Sequence, residues 1–233
     1  AESLSPQLLR SVSLATTLAG ADARVLPTGM HDIDSALPDG GLPRGAVVEL
    51  AAAQGLAQST SLALSLCASA QHEALLRGGD PAWCAWLDPS RSLYAPGVAA
   101  HGVSLDRLLV VQPPLDALAR IAARIVSSRV FSVVVVDTAG IPGAVVSTPL
   151  SRWTNVVRRL AVGAQGSDTC VVLLTDQRRS REASLPAAMR IELAQPSAHV
   201  LSLRVAKDRR GRIGAPMSLS YTRPDGQQVR RAG

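Results

Sequence analysis

The segment Arg44–Gln71, RGAVVELAAAQGLAQSTSLALSLCASAQ, decides the fold of this chain. An apolar run, a stretch of small residues and a long, largely apolar stretch follow one another, which predicts a buried strand, a turn and a helix. A turn of this kind between strand and helix is where the phosphate-binding pattern G-x-x-x-x-G-K-[ST] occurs. In that pattern, backbone N–H groups and one lysine hold the phosphates of a nucleotide. The matching positions here are 52–59.

The residues that perform the phosphate chemistry in this pattern are replaced. Alanines stand at both glycine positions and glutamine stands at the lysine position, whereas the hydroxyl position and the one after it are kept: Ala52, Ala57, Gln58, Ser59 and Thr60. An alanine is strained where the loop needs φ > 0. The missing lysine removes charge-assisted hydrogen bonds of about 1.5–3 kcal/mol each. We therefore interpret the segment as an ATPase scaffold that does not hydrolyse ATP and carries neither a nucleotide nor a metal ion as cofactor.

Composition sets the size and class of the protein. The chain has 233 residues, of which 47% are hydrophobic and only 3% aromatic, so we expect one substantial core of Ala, Val and Leu. The formal net charge is +6, and Lys207 is the only lysine among 24 basic residues. This charge favours an acidic partner such as nucleic acid. A general bias toward Arg, Ala and Gly codons explains it equally well.

The cysteines and histidines form no pattern that is typical of metal sites. Cys67, Cys84 and Cys170 are far apart along the chain and each lies in an apolar run, which predicts buried thiols in a reducing cytoplasm. The sequence contains no signal-peptide pattern and no apolar run of 18 residues. We therefore expect a cytoplasmic protein without membrane contact.

Apolar periodicity predicts an α/β fold, a doubly wound, mostly parallel sheet flanked by helices. Residues 1–24 form an N-terminal arm with a helical stripe at Leu4, Leu8, Val12 and Ala15, and residues 25–233 form the core domain. Predicted strands are 46–50, 83–87, 108–111, 131–136, 170–175, 189–193, 199–205 and 217–221. Predicted helices are 59–76 and 115–129, with a further helix marked by Leu150, Trp153, Val157 and Leu160; a break is expected at 97–102.

Several short motifs resemble the ATPase core of the RecA family of bacterial recombinases, and they occur in the family's order. The first group is Thr28-Gly29, Ile33-Asp34, Ala36-Leu37, Gly40-Gly41-Leu42-Pro43, Gly45 and Val48-Glu49. The later group is Asp88, Gln112-Pro113, Asp137, Asp176-Gln177, Lys207-Asp208-Arg209 and Ala215-Pro216. The resemblance covers Val25–Tyr221 and implies a RecA-like fold.

The departures from the family pattern concern the catalytic groups. By this resemblance, the catalytic glutamate falls at Ser90, whose hydroxyl cannot act as the general base. The adenine-stacking tyrosine falls at Gly97, three residues from Tyr94. Asp137 matches the aspartate that assists Mg²⁺, although a lone aspartate at a strand end is as often a cap. Gln177 matches the glutamine that senses the γ-phosphate.

The segment that binds DNA in this family is short here. Arg178, Arg179 and Arg181 follow Gln177 and are candidate contacts to DNA phosphates, which give affinity without sequence preference. A solvated basic turn is an equal alternative. The segment has no aromatic residue on which bases could stack.

A RecA-like chain of this size without the lysine resembles the ImuA family, RecA-like accessory proteins of the bacterial damage-induced mutagenesis cassette that are often labelled SulA-like. The resemblance implies a non-catalytic role in the SOS response and translesion synthesis, with RecA and an ImuB-like, polymerase-related protein as partners. A weak ATP- or single-stranded-DNA-binding recombinase paralogue and a SulA-type cell-division inhibitor are the alternatives. Formation of a homo-oligomer stays open.

One basic pair suggests how contact with RecA would be made. In the RecA family, two basic residues separated by one residue reach the ATP held by the neighbouring filament subunit, and Lys207 and Arg209 keep that spacing. Together with Leu4, Leu8 and Val12 they form the candidate RecA interface. The alternative is a surface turn whose charges are solvated.

Overall fold

A computed structural model of the chain describes residues 24–53, 58–139, 153–177, 184–197 and 200–220. Ten strands and five helices lie in these ranges. The strands are β1 (Val25–Leu26), β2 (Leu42–Pro43), β3 (Ala46–Ala52), β4 (Cys84–Leu87), β5 (Leu108–Val111), β6 (Val133–Asp137), β7 (Cys170–Asp176), β8 (Met189–Ser197), β9 (Val200–Asp208) and β10 (Met217–Ser220). The helices are α1 (His31–Ala36), α2 (Gln58–Leu76), α3 (Ala95–Ala100), α4 (Leu115–Ser128) and α5 (Trp153–Ala164), and a 3₁₀ turn covers Leu105–Arg107.

Eight strands form one sheet in the order β10-β9-β8-β3-β7-β6-β4-β5. The strands from β8 to β5 are parallel, whereas β9 and β10 are antiparallel additions at one side. The short strands β1 and β2 pair separately, just before β3. This arrangement confirms the predicted α/β fold with a mostly parallel sheet between helices.

Helices cover both faces of the sheet, which explains the unbroken apolar strands. One face packs against α1 and α2 in a cluster that includes Leu62, Leu66 and Trp86. The other face packs against α4 and α5 around Leu118 and Leu160. Because neither face meets water, β6 reads VVVVD with every residue buried.

Several predicted boundaries differ from the structure, and three of the differences are the largest or the nearest to the site. The break expected at 97–102 is wrong, because α3 occupies Ala95–Ala100 and ends before Gly102, whose φ is +77°. Pro96 lies in the first turn of this helix, where its missing N–H costs nothing. Strand β3 runs two residues beyond the predicted end, to Ala52, and β8 continues to Ser197. The predicted arm 1–24 lies outside the described residues apart from Arg24.

Candidate functional site

The candidate site lies at the carboxyl-terminal edge of the parallel strands, where β3 turns into α2. Ala52, at the first glycine position, is paired in the sheet with Asp176 of β7 and Leu193 of β8. It is not among the described residues with positive φ. The expected strain at Ala52 is therefore wrong, since the strand extends through this position. Ala57 lies outside the described residues.

Gln58, at the lysine position, is the first residue of α2 and only 6% exposed. Its Nε2 donates a hydrogen bond to Oε1 of Gln195 near the end of β8, at 2.5 Å. Ser59 beside it is buried and Thr60 is half-buried. A neutral amide thus occupies the place of the cation, and its bond with Gln195 joins the start of α2 to β8.

The turn after β4 contains Asp88 and Ser90, the residue that the resemblance places at the family's catalytic glutamate. Asp88 is fully buried, and its carboxylate accepts hydrogen bonds from the Leu93 backbone N–H at 2.8 Å and the Ser92 hydroxyl at 3.3 Å. Its role in these contacts is to close the turn that contains Ser90. The buried Ser90 hydroxyl has no hydrogen-bond partner among the described residues. A hydroxyl in this place cannot remove a proton from water at neutral pH.

Two polar residues of the candidate site keep their positions at the ends of neighbouring strands. Asp137 ends β6, is 6% exposed, and accepts a hydrogen bond from the Ala139 backbone N–H at 2.9 Å. This hydrogen bond closes a local turn, which is the role that the sequence predicts as the alternative to assisting Mg²⁺. Gln177 follows β7 directly and is half-buried. Tyr94 lies just before α3 with 70% of its surface exposed, so it can reach a ligand only from the outside of the site.

Comparisons with known proteins identify the family of the chain. Residues 11–152 match the model of the RecA N-terminal domain. This chain belongs to the RecA family. It is similar to Protein RecA of Rhodospirillum centenum, with 30% identity over 179 residues, covering 72% of this chain and 48% of that protein. A mitochondrial DNA repair protein recA homolog of Dictyostelium discoideum is 34% identical over 128 residues, covering 54% of this chain and 26% of the relative.

A third relative, Protein RecA of Deinococcus radiodurans, is 37% identical over 118 residues, which cover 50% of this chain and 30% of that protein. The matches to these three relatives span between about a quarter and a half of their length.

Parts of the predicted site lie outside the described residues. These are the candidate DNA-phosphate contacts Arg178, Arg179 and Arg181 and the arm residues Leu4, Leu8 and Val12. Among the residues that the structure describes, no group of three or more His, Cys, Asp or Glu side chains could hold a metal ion. No helix in the described ranges has the length and apolar character needed to cross a membrane.

Lys207 and Arg209 lie at the opposite, amino-terminal edge of the parallel strands. Lys207 is half-buried and its Nζ donates a hydrogen bond to the Leu185 carbonyl at 2.9 Å, whereas Arg209 is exposed. In the structure only Arg209 of this pair therefore points to solvent without such a contact. The lysine instead holds the segment that leads into β8.

An ion-pair cluster beside Arg209 was not predicted from the sequence. Arg212 donates to both carboxylate oxygens of Asp39, at 2.6 and 2.7 Å, and to Asp208 at 2.8 Å, while Arg210 approaches Asp39 at 3.5 Å. The hydrogen bond from Arg212 holds the pKa of Asp39 below its usual value, and the same pairing raises the pKa of Arg212. We call these four residues the Asp39 cluster. The basic run after β9 is visible in the sequence, but its acidic partner is 173 residues away.

The three cysteines, distant along the chain, meet in the core. Cys84 and Cys170 begin β4 and β7, and the Cys84 thiol donates to the Cys67 carbonyl in α2 at 3.7 Å. All three are fully buried and reduced, which confirms the predicted buried thiols. A hydrogen bond with Cys84, together with burial, raises the pKa of Cys67 well above its usual value, and burial raises that of Cys170 to about 12.

Proposed function

We propose that this protein is a non-catalytic RecA-like accessory factor of damage-induced mutagenesis that acts by protein contact, binding RecA and limiting its recombinase filament. The single observation that carries this proposal is Gln58, which places a buried, hydrogen-bonded amide where the family has its phosphate-binding lysine. The ImuA-like assignment, with an ImuB-like protein as second partner in translesion synthesis, belongs to the same proposal.

Absence of ATP hydrolysis follows from the combination of three features. Gln58 supplies no charge to the phosphates, Ser90 supplies no base, and the Asp137 carboxylate accepts a hydrogen bond within its own turn. The first two features remove a charge from phosphate binding and a base from the activation of water, while the third leaves the family's metal-assisting carboxylate in place and engages one of its oxygens. Their coincidence favours a scaffold over an enzyme.

A role in protein contact is supported by the outer edge of β5. Among the described residues this strand pairs only with β4, so its other edge has open backbone hydrogen-bonding groups. Leu109 and Val110 on it are each 40% exposed. An open, apolar edge strand is a template for pairing with another chain. A RecA protomer is the partner that we propose for this surface.

The mode of binding that we propose is that of a defective filament subunit. Arg209 is exposed and available to the ATP of an adjoining RecA protomer. The nucleotide site of this chain would offer no ATP to the next protomer, so filament growth would stop on that side. Lys207 would join the contact only after leaving the Leu185 carbonyl.

Two binding experiments test the proposal. In a titration with a fluorescent ATP analogue, RecA serves as the positive control, and we expect no saturable binding by this protein at concentrations that saturate RecA. In a pull-down with purified RecA, we expect capture that is stronger with ATP-loaded RecA and weaker for Arg209→Ala. Tight analogue binding with ATP turnover would instead identify a recombinase paralogue. Capture of the bacterial tubulin homologue, but not of RecA, would identify a division inhibitor.

A further inference from the structure

We infer that the outer face of the helix pair α4–α5 is a docking surface for the phosphate backbone of nucleic acid. This surface is separate from the β5 edge and from the segment after β7, and it goes beyond the proposed function. It consists of solvent-facing arginines on two adjacent helices: Arg120, Arg124, Arg158 and Arg159.

The two helices are held side by side near their carboxyl ends. Gly163 of α5 lies so close to α4 that a Cβ there would meet the Ser127 hydroxyl at 3.2 Å and a Val126 methyl at 3.3 Å. Arg129, just after α4, donates a hydrogen bond to the Gln165 carbonyl, just after α5, at 3.2 Å. These contacts set the two helices in register, so their outward rows form one surface.

The arginines lie in two short rows on that surface. Arg120 and Arg124 are one turn apart on α4, about 6 Å along the helix axis. Arg159 lies one turn before Gly163 and therefore on the side of α5 that turns toward α4, whereas Arg158, five residues before Gly163, lies on the other flank of the outer face. With helix axes about 8–10 Å apart, the two pairs of arginines belong to the outer surface of one helix pair.

These positive charges are not neutralised within the described part of the protein. Arg120, Arg124 and Arg159 form no ion pair or hydrogen bond with any described residue, and Arg158 contacts only the neutral Asn155, at 3.3 Å. Asp116 is the only acidic residue on either helix, and it forms no ion pair with Arg120. Like charges one turn apart destabilise a helix by a few tenths of a kcal/mol. An external polyanion would remove that repulsion.

The composition of the face favours nucleic acid over an acidic protein. Protein interfaces have an apolar centre that is depleted in charge, whereas this face carries four exposed arginines and a single large exposed apolar residue beside the helix contact, Val162; Leu115 lies at the start of α4. The aromatic residue of the pair, Trp153, is buried and cannot stack on bases. Arginine forks without aromatic groups bind phosphodiesters and do not read sequence. We therefore expect duplex and single-stranded DNA both to bind.

The test compares two variants with equal loss of charge. The first carries Arg120→Gln, Arg124→Gln, Arg158→Gln and Arg159→Gln, since glutamine keeps helix propensity. The matched control carries Arg24→Gln, Arg77→Gln, Arg91→Gln and Arg204→Gln, four exposed arginines elsewhere. Fluorescence anisotropy with labelled duplex and single-stranded oligonucleotides measures binding from about 50 to 200 mM salt, the range over which counterion release changes affinity strongly.

We expect the face variant to bind both oligonucleotides at least about 10-fold more weakly than wild type. The slope of log affinity against log salt should become less negative, by up to about 3.6 for duplex DNA and about 2.8 for single strands. These are the values for four lost phosphate contacts. The control should keep most of the salt dependence. If the quadruple variant does not fold, Arg124→Gln with Arg159→Gln should give about half of the flattening.

Three results would overturn the inference. The first is equal weakening by the face variant and the control, which would show an effect of net charge alone. The second is loss of binding on Arg178→Gln, Arg179→Gln and Arg181→Gln while the face variant binds normally. The third is an absence of wild-type binding to either oligonucleotide at low salt, with binding of polyglutamate through the four arginines, which would show a protein-docking surface. None of these results bears on ATP or RecA binding.

Discussion

The two edges of the central sheet use their polar residues in opposite ways. At the carboxyl-terminal edge, Asp88 and Asp137 accept hydrogen bonds from their own turns, and Gln58 meets another neutral amide. At the amino-terminal edge, Arg212 joins two carboxylates, one of them on a segment 173 residues away. The first edge keeps the outline of a ligand site, whereas the second ties distant parts of the chain together.

In this RecA-family fold, the residues of a ligand site therefore lie at the carboxyl-terminal edge, and the ion pairs that stabilise the fold lie at the amino-terminal edge. With glutamine at the lysine position of the carboxyl-terminal edge, the sheet and α2 are in place, and the Gln58 Nε2 donates to Gln195 while its buried Oε1 has no hydrogen-bond partner among the described residues. Loss of a charge from the Asp39 cluster would leave a partly buried partner uncompensated. Mutations at the two edges should therefore affect different measurements.

The largest effect is expected at the amino-terminal edge. Arg212→Ala should lower the free energy of unfolding by about 2–4 kcal/mol, because it removes the cation from Asp39 and from the buried Asp208. Urea denaturation measures this change. Arg210→Ala, which loses one contact at 3.5 Å, is the control and should cost less than about 1 kcal/mol. Equal costs for the two variants would show that the cluster does not stabilise the fold.

The second effect belongs to the carboxyl-terminal edge. Gln58→Lys restores one cation and should tighten binding of a fluorescent ATP analogue by about 1.5–3 kcal/mol, roughly 10-fold or more, without restoring hydrolysis. Gln58→Met, which removes the amide without adding charge, is the matched control. A gain of affinity in the control would mean that release from Gln195, and not charge, limits nucleotide binding.

The third effect depends on pH. The pKa of Asp39 is lowered by Arg212, so its carboxylate adds stability above the unfolded-state pKa of about 3.9, and this contribution is lost as pH falls through the lower folded-state value. Asp39→Asn should destabilise the protein by about 1–2 kcal/mol at pH 7. The difference from wild type should shrink below about pH 4 in urea titrations. A constant difference at every pH would contradict the ion pair.

The smallest expected effect is an absence of reaction. Cys67, Cys84 and Cys170 are fully buried, and the pKa of Cys170 is about 12, so a thiol reagent should modify none of them in the native protein at pH 8. All three should react in denaturant. Rapid labelling of native protein would show that the region around the starts of β4 and β7 opens locally. It would contradict the assignment of a stabilising role to the amino-terminal edge.

Much of the fold could be predicted because the apolar pattern is local. The strands at 108–111 and 170–175 and the helix at 115–129 agree with the structure to within one residue at each end. The break at 97–102 was wrong because Pro96 suits the first turn of a helix and the helix continues through Gly97 to Ala100. Strain at Ala52 was wrong because a family position was assumed to keep the family's backbone conformation.

The candidate site was predictable only in its chemistry. The sequence shows glutamine, serine and alanine at the positions that, by resemblance to the RecA family, bind and cleave a nucleotide, since a missing charge or base is visible in the residue itself. It also predicted a parallel sheet covered on both faces, since unbroken apolar strands that alternate with helices are typical of such sheets. Only the tertiary structure decided that Gln58 meets Gln195, that Arg212 meets Asp39, and that four arginines share one face. These contacts depend on strand order and helix packing, which bring together residues that no local pattern relates.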